Sequence, residues 1–155
     1  MSWSNLKKGR VSIQSGEYFI TFTSYRRERI FSSSDLANTF CRCIASNELK
    51  YQCRWLTWVL MPDHFHGLLQ LTSSELGVTV GHLKGASARE VNKVRNKNQP
   101  VWQRAYYDHA LREEENRIAI ARYIAANPLR QKLVIIRIGI QYICKLNIAV
   151  SCRHK

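Results

Sequence analysis

Two histidines spaced two residues apart, His64 and His66, lie inside the apolar run from Trp58 to Leu71. Such a run is typical of a strand that is buried on at least one face. Because side chains at positions i and i+2 of a strand point to the same face, both imidazoles must project together from one side of a sheet. Neutral imidazole is the commonest nitrogen ligand of divalent ions. The pair indicates half of a metal site, and two half-buried structural histidines are the alternative that the motif alone leaves open.

Four strands are predicted from the alternation of apolar residues and from turn residues. Aromatic and β-branched residues alternate after Gly16, which is typical of a strand. Pro62 and Asp63 form a turn inside the apolar run, since proline cannot donate within a sheet and aspartate favours turns. The run therefore predicts a hairpin with the histidine pair at the start of its second strand. The predicted strands are 18–23, 55–61, 64–71 and 101–109.

Three helices are predicted between and after these strands. Leu36, Phe40 and Ile44 recur every four positions in the first, and the second covers about 75–96. The third covers 113–126, with acidic residues in its first turn and Pro128 expected to end it. The order β-α-β-β-α-β-α predicts an α+β fold: a ferredoxin-like antiparallel sheet with helices on one face and an added C-terminal helix.

The chain is expected to form one domain over residues 1–155, with a core at about 10–135. Its Ile-rich end, 136–155, is compatible with a further strand or with a segment folded over the sheet. Five cysteines, an odd number without a C-x-x-C pair, favour reduced thiols over a disulfide framework.

The charge of the chain points to a polyanionic partner. Lys and Arg number 24 against 11 Asp and Glu, which gives a net charge of +13. Nucleic acid is favoured over a membrane surface. No stretch reaches the roughly 18 apolar residues of a spanning helix. The first ten residues lack the apolar region of a signal peptide, so we expect a cytoplasmic protein.

Tyr123 and Asn127 are four residues apart, so they lie on one side of the predicted third helix. A helical tyrosine is most often half-buried packing. Together with the histidine pair, however, the set is chemically coherent. A divalent ion held by His64, His66 and Asn127 would keep positions open for a phosphate oxygen, and Tyr123 would reach the same phosphorus as a covalent nucleophile.

Four segments of the chain carry a resemblance to a known family. In chain order they are residues 16–21, Met61-Pro-Asp-His-Phe-His-Gly67, residues 101–112 and Arg122-Tyr-Ile-Ala-Ala-Asn-Pro-Leu-Arg130. In this order and spacing they resemble the REP-associated tyrosine transposases, which belong to the single-tyrosine HUH (His, hydrophobic residue, His) transposases. Asp63 stands where these relatives often carry asparagine.

The resemblance implies a metal-dependent transposase and endonuclease that cleaves and rejoins single-stranded DNA near short, REP-like hairpins. On this reading His64 and His66 match the HUH ligands, Asn127 the third ligand of Mg²⁺ or Mn²⁺, and Tyr123 the nucleophile. The tyrosine becomes linked to the 5′ phosphate and a 3′ hydroxyl is released. We expect the enzyme to act as a monomer or homodimer.

Two other functions fit parts of the pattern. One is a catalytically inactive DNA-hairpin binding protein of the same fold. The other is a zinc hydrolase in which Cys53 or His109 joins the two histidines; His109 beside Asp108 is otherwise expected to be structural, since adjacent strand residues face apart. The intact set of four residues favours the transposase. Candidate DNA contacts are Tyr25, Arg26, Arg27, Lys84, Arg89, Lys93, Arg104, Arg122 and Arg130.

Overall fold

A five-stranded antiparallel sheet forms the centre of the protein. The computed structural model describes residues 15–112, 116–130 and 144–146. The strands are β1 (Glu17–Thr23), β2 (Arg54–Leu60), β3 (His64–Gln70), β4 (Tyr107–Ala110) and β5 (Cys144–Leu146), and they lie in the order β4-β1-β3-β2-β5. The helices are α1 (Ser34–Tyr51), α2 (Leu76–Arg95) and α3 (Arg117–Arg130), with 3₁₀ turns at Tyr25–Arg27 and Ile30–Ser32.

The order β4-β1-β3-β2 is that of the ferredoxin-like unit, so the predicted fold class is confirmed. The main core lies between the sheet and the first two helices, where Phe22, Trp55 and Phe65 pack with Phe40 of α1 and Leu83 of α2. The helix α3 packs on the other face of the sheet. There Ile124 forms a second, smaller core with Val59, Met61 and Leu68. No helix within the described part of the chain is long and apolar enough to span a membrane.

The fourth strand is shorter than predicted. Trp102 makes only one isolated antiparallel bridge, to Ser24, and β4 begins at Tyr107. The reason is a buried lysine: Nζ of Lys84 donates to the carbonyls of residues 103, 104 and 105 at 2.7, 2.9 and 3.1 Å. Three successive carbonyls that face one ammonium cannot alternate in direction as a strand requires.

The last helix is displaced from its predicted bounds. It begins at Arg117, where Oδ1 of Asn116 accepts a hydrogen bond from the amide of Ala119 at 3.0 Å and caps the first turn. The prediction of acidic residues in the first turn of this helix was therefore wrong. Residues 113–115 lie outside the described residues. Pro128 lies inside the helix rather than ending it. Because it stands in the last turn, it removes a single main-chain hydrogen bond.

Part of the C-terminal segment extends the sheet. Residues Cys144–Leu146 pair antiparallel with β2 over Thr57, Trp58 and Val59. Of the two alternatives for the end of the chain, a further strand is confirmed for these three residues. The remainder of 136–155 lies outside the described residues.

The close packing of β3 against the core gives a test of the fold. A Cβ at Gly67 would lie 2.8 Å from ring carbons of Phe65 and Trp55, whereas a Cβ at Gly81 of α2 would meet nothing within 4 Å. We expect Gly67→Ala to lower the free energy of unfolding by about 1–3 kcal/mol through overpacking. Gly81→Ala should raise it by up to about 1 kcal/mol, because alanine favours the helix. Urea unfolding measures both, and equal stabilities of the two variants would contradict this packing.

Candidate functional site

The two histidines share one face of β3, as the sequence pattern predicts, and this face points away from the main core. Phe65 between them is fully buried beneath α1 and α2, so His64 and His66 project toward the α3 side of the sheet. His64 is buried and His66 is half-buried. Their ring centroids are 4.8 Å apart. The structure therefore brings two imidazoles side by side on one face, at the start of the central strand β3.

Each imidazole is held through its Nδ1 atom. Nδ1 of His64 donates to Oδ1 of Asp63 at 2.6 Å, and Nδ1 of His66 hydrogen-bonds to Oγ1 of Thr21 at 2.7 Å. A carboxylate only accepts, so Nδ1 of His64 carries the proton and a neutral ring keeps its lone pair on Nε2. Metal-binding histidines are oriented by such partners, which fix the ring and its tautomer. The ring of His64 thus offers Nε2 to a ligand, and the ring of His66 does the same in the tautomer in which its Nδ1 donates to Thr21.

Burial keeps His66 in the form that binds metals. The pKa of His66 is lowered to about 4, chiefly by loss of solvent and also by the neighbouring His64, while Asp63 opposes the shift. The ring is therefore neutral near pH 7. A metal ligand must be neutral at its binding nitrogen, so the site does not have to expel a proton from this ring before it binds an ion.

Tyr123 lies beside the histidine pair. Its ring centroid is 6.3 Å from that of His66 and 6.1 Å from that of Phe19. Phe19 also stacks on His66 at 5.8 Å, so one phenylalanine contacts both residues. Tyr123 is 43% exposed although it stands next to Ile124, which is fully buried. The burial of Ile124 anchors α3 on the sheet. Tyr123 is thereby placed at the solvent edge of the sheet face that carries His64 and His66, which we call the histidine face.

Asn127 lies one turn beyond Tyr123 on the same helix. It is 6% exposed, and its Nδ2 donates to the main-chain carbonyl of Tyr123 at 3.0 Å. This bond uses one amide donor and fixes the side chain along the helix. The oxygen of the carboxamide is the atom that can serve a hard divalent ion. The prediction that Tyr123 and Asn127 lie on the same side of one helix is thus confirmed.

A basic loop reaches the histidine strand from β1. The amide of Ser24 donates to the carbonyl of Asp63 at 2.8 Å, and Nη1 of Arg27 lies 3.7 Å from Oδ2 of the same residue. Arg26 and Arg27 have φ angles of 53° and 56°, in the left-handed region that such residues rarely adopt. The loop thus places exposed arginines next to the carboxylate that orients His64.

Most of the predicted DNA contacts are exposed. This holds for Tyr25, Arg26, Arg27, Arg89, Lys93, Arg104 and Arg122, while the side chain of Arg130 lies outside the described residues. The guanidinium of Arg26 lies 5.3 Å from the ring centre of Tyr25. Lys84 is the exception: it is buried, and its ammonium is bound by three carbonyls. Lys84 is therefore not exposed with the other candidates, because its ammonium fastens the 103–105 segment.

The zinc-hydrolase alternative is contradicted. Within residues 15–112, 116–130 and 144–146, no group of three or more His, Cys, Asp or Glu side chains is arranged to hold a metal ion. Cys53 lies in the main core, where its Sγ is 3.8 and 3.7 Å from two oxygens of Asn47. His109 pairs with Phe19 and Asp108 with Ile20, which confirms that these neighbours face opposite sides of the sheet.

Three residues of this face were not singled out by the sequence: Thr21, Phe19 and Tyr107. Thr21 pairs with His66 on one side and with Tyr107 on the other. The alternation of β1 shows that Phe19 and Thr21 share a face, but no sequence pattern gives the strand register that brings them beside His66. Asp63 was predicted as a turn residue, and its contact with His64 follows from the same hairpin.

The chain is similar to proteins of a known family. A family model described as "Transposase IS200 like" matches residues 12–127. An uncharacterized protein of Haemophilus influenzae is 29% identical, over 74% of this chain and 81% of its own length. A second protein of that organism, named as a REP-associated tyrosine transposase, is 23% identical over 77% and 73% of the two chains.

Two solved structures have the same fold. One is a REP-associated tyrosine transposase bound to a REP hairpin, with a TM-score of 0.69, 20% identity and coverage of 86% of this chain and 76% of its own. The other is from Deinococcus radiodurans and is described as a transposase. Its TM-score is 0.56, at 24% identity and coverage of 77% and 95%. The resemblance drawn from the sequence segments is therefore confirmed.

The lowered pKa of His66 predicts a pH dependence of stability. As the pH falls below about 6.5, the unfolded chain takes up a proton at this histidine while the folded protein does not, until about pH 4. Between pH 7.5 and 5 the metal-free protein should lose about 2 kcal/mol of unfolding free energy more than His66→Gln does. Urea unfolding in EDTA measures the difference. Equal losses in both proteins would contradict a neutral, half-buried His66.

Proposed function

The chain belongs to the IS200-like transposase family, and on this premise we propose that it cleaves and rejoins single-stranded DNA beside short hairpins. Tyr123 is the proposed nucleophile, and His64, His66 and Asn127 are the proposed ligands of Mg²⁺ or Mn²⁺. The observation that carries the proposal is the arrangement of the two imidazoles. Both are held at Nδ1, by Asp63 and by a threonine, and the phenol ring of Tyr123 lies beside them.

The residues present fit a divalent ion with open coordination positions. Two imidazole nitrogens and one buried amide oxygen would supply three donors without net charge, which leaves coordination positions for oxygen ligands such as phosphate. Bound there, an ion would act as a Lewis acid on a phosphate oxygen and hold the strand in place. The absence of a thiolate or of a third imidazole in the described site favours Mg²⁺ or Mn²⁺ over structural zinc.

The proposed reaction is a transesterification at phosphorus. The phenol of Tyr123 loses its proton, and its oxygen forms a bond to the phosphorus of the scissile phosphodiester. The bond from phosphorus to the 3′ oxygen breaks, and that oxygen takes up a proton. The product is a 5′-phosphotyrosine and a free 3′ hydroxyl. A 3′ hydroxyl from another strand reverses the step, because the phosphotyrosine retains the ester bond.

The hairpin and the single strand are the proposed substrate features. The positive charge of +13 supports phosphate contacts without distinguishing single strand from duplex. The structural relative named above was solved with a REP hairpin, which supports a hairpin beside the cleaved strand. An unpaired strand can bend into a site on a sheet face without the unpairing cost of a few kcal/mol that a duplex carries.

Loss of the Tyr123 hydroxyl tests the nucleophile. We expect Tyr123→Phe to form no covalent adduct with labelled hairpin-bearing single-stranded DNA and Mn²⁺, and to bind that DNA nearly as well as the wild type. The reason is that only the attacking oxygen is lost. Denaturing gel electrophoresis measures the adduct, and fluorescence anisotropy measures binding.

Tyr51→Phe is the matched control, since Tyr51 ends α1 on the opposite side of the sheet. It should form the adduct at the wild-type rate. A perfect duplex of the same sequence should not be cleaved. An adduct on Tyr123→Phe would remove the role from this residue, and wild-type protein that binds the hairpin without any adduct would instead favour the inactive hairpin-binding protein.

Removal of one hydroxyl next to His66 tests the metal site. Thr21→Val keeps the shape of the side chain but loses the hydrogen bond to Nδ1, so it should lower Mn²⁺ affinity roughly 10- to 100-fold. His66→Ala should abolish tight binding. Electron paramagnetic resonance of free Mn²⁺ measures both.

Thr57→Val is the control for the loss of a buried threonine hydroxyl. Thr57 is fully buried, and no group in the described part of the chain hydrogen-bonds to its hydroxyl. Its removal should leave Mn²⁺ affinity unchanged. Equal affinities of the Thr21 and Thr57 variants would show that Nδ1 of His66 is not held for metal binding.

A further inference from the structure

Tyr107 lies in line with the histidine face. The β1–β4 register pairs Tyr107 with Thr21, and the β1–β3 register pairs Thr21 with His66. Directly opposed residues in antiparallel strands project to the same side of a sheet. Strands are about 4.8 Å apart, so the Cα atoms of Tyr107 and His66 are separated by about 10 Å. One nucleotide, from its phosphate to the far edge of its base, spans such a distance.

The ring of Tyr107 is exposed but held in place. The residue is 59% exposed and belongs to β4, the edge strand of the sheet. Its ring meets that of Phe19 at 6.3 Å in an edge-to-face arrangement, which covers at most one face of the tyrosine ring. Phe19 also contacts His66 and Tyr123. The same side chain therefore fixes the position of Tyr107 relative to the proposed ligand and nucleophile.

The neighbouring Tyr106 does not share this position. It packs against the main core, and Nζ of Lys84 lies 5.7 Å from its ring centre. Tyr106, which precedes β4, thus packs toward the main core, while Tyr107 pairs with Thr21 and lies on the side of the histidines. Of these two tyrosines, Tyr107 is the one whose ring lies on the histidine face. Core packing does not account for a large ring that is more than half exposed.

We infer that Tyr107 is a stacking platform for one unpaired nucleobase, next to the phosphate that lies at His64 and His66. This inference rests on the proposed function. Every base has a π face, so a single aromatic ring recognises the unpaired state and not the base identity. A base inside a duplex is covered on both faces and cannot stack on the ring. The tyrosine thus supplies selection for single strand that the positive charge does not provide.

The test combines a protein variant with a DNA variant. Abasic sites are placed singly at each nucleotide of the strand flanking the hairpin, and binding is measured by anisotropy in Ca²⁺ or without metal. In the wild type, one abasic position should weaken binding roughly ten-fold, the size expected for loss of one stacked base. Tyr107→Ala should weaken binding of the intact strand by a similar factor. The same abasic position should then have no further effect in Tyr107→Ala.

Two further variants separate stacking from other roles. Tyr107→Phe should restore the affinity lost in Tyr107→Ala, because it keeps the ring. Leu49→Ala removes an exposed apolar side chain from α1 and should bind as the wild type does. Additive losses for the abasic site and Tyr107→Ala would overturn the inference, as would failure of Tyr107→Phe to restore affinity. If the wild type forms the covalent adduct and Tyr107→Ala binds unchanged, this inference fails alone. If the wild type neither binds nor reacts, the proposed function fails with it.

Discussion

The pairing of β1 with β3 is the interaction on which the candidate site depends. Its register places Thr21 opposite His66 and Thr23 opposite His64. A shift of one residue would turn the histidines into the main core and Phe65 toward α3, because side chains alternate along a strand. The burial of Phe65 among Phe22, Trp55 and Phe40 stabilises the observed register. The same packing that builds the core therefore orients both imidazoles outward.

Opposite faces of the sheet serve different purposes. The α1 and α2 side holds the large aromatic core, while the α3 side holds a small apolar cluster around Ile124 beside the histidines. This small cluster is enough to dock α3, and it leaves room at its edge for Tyr123 and Tyr107, which are 43% and 59% exposed. A face that buried every residue would exclude a phosphodiester from the same place.

The sequence predicts what depends on local pattern. Alternation along β3 gives the shared direction of the histidines, and four-residue spacing gives the shared side of Tyr123 and Asn127. Features that depend on contacts between residues distant in sequence are not predicted. The buried ammonium of Lys84 breaks the predicted strand at 101–106, and Pro128 is accommodated in the last turn of α3. The partners of the histidines and the position of Tyr107 follow from strand register, which a single sequence does not contain.

Peptide mapping of the covalent adduct is the sharpest test of Tyr123 as the nucleophile. The protein is incubated with hairpin-bearing single-stranded DNA and Mn²⁺, treated with nuclease and trypsin, and examined by mass spectrometry. Cleavage after Arg122 and Arg130 isolates residues 123–130, and cleavage after Arg104 and Arg112 isolates 105–112, which contains Tyr106 and Tyr107. We predict a nucleotide on the peptide 123–130, attached to Tyr123. A nucleotide on 105–112, or DNA cleavage without any modified peptide, would contradict it.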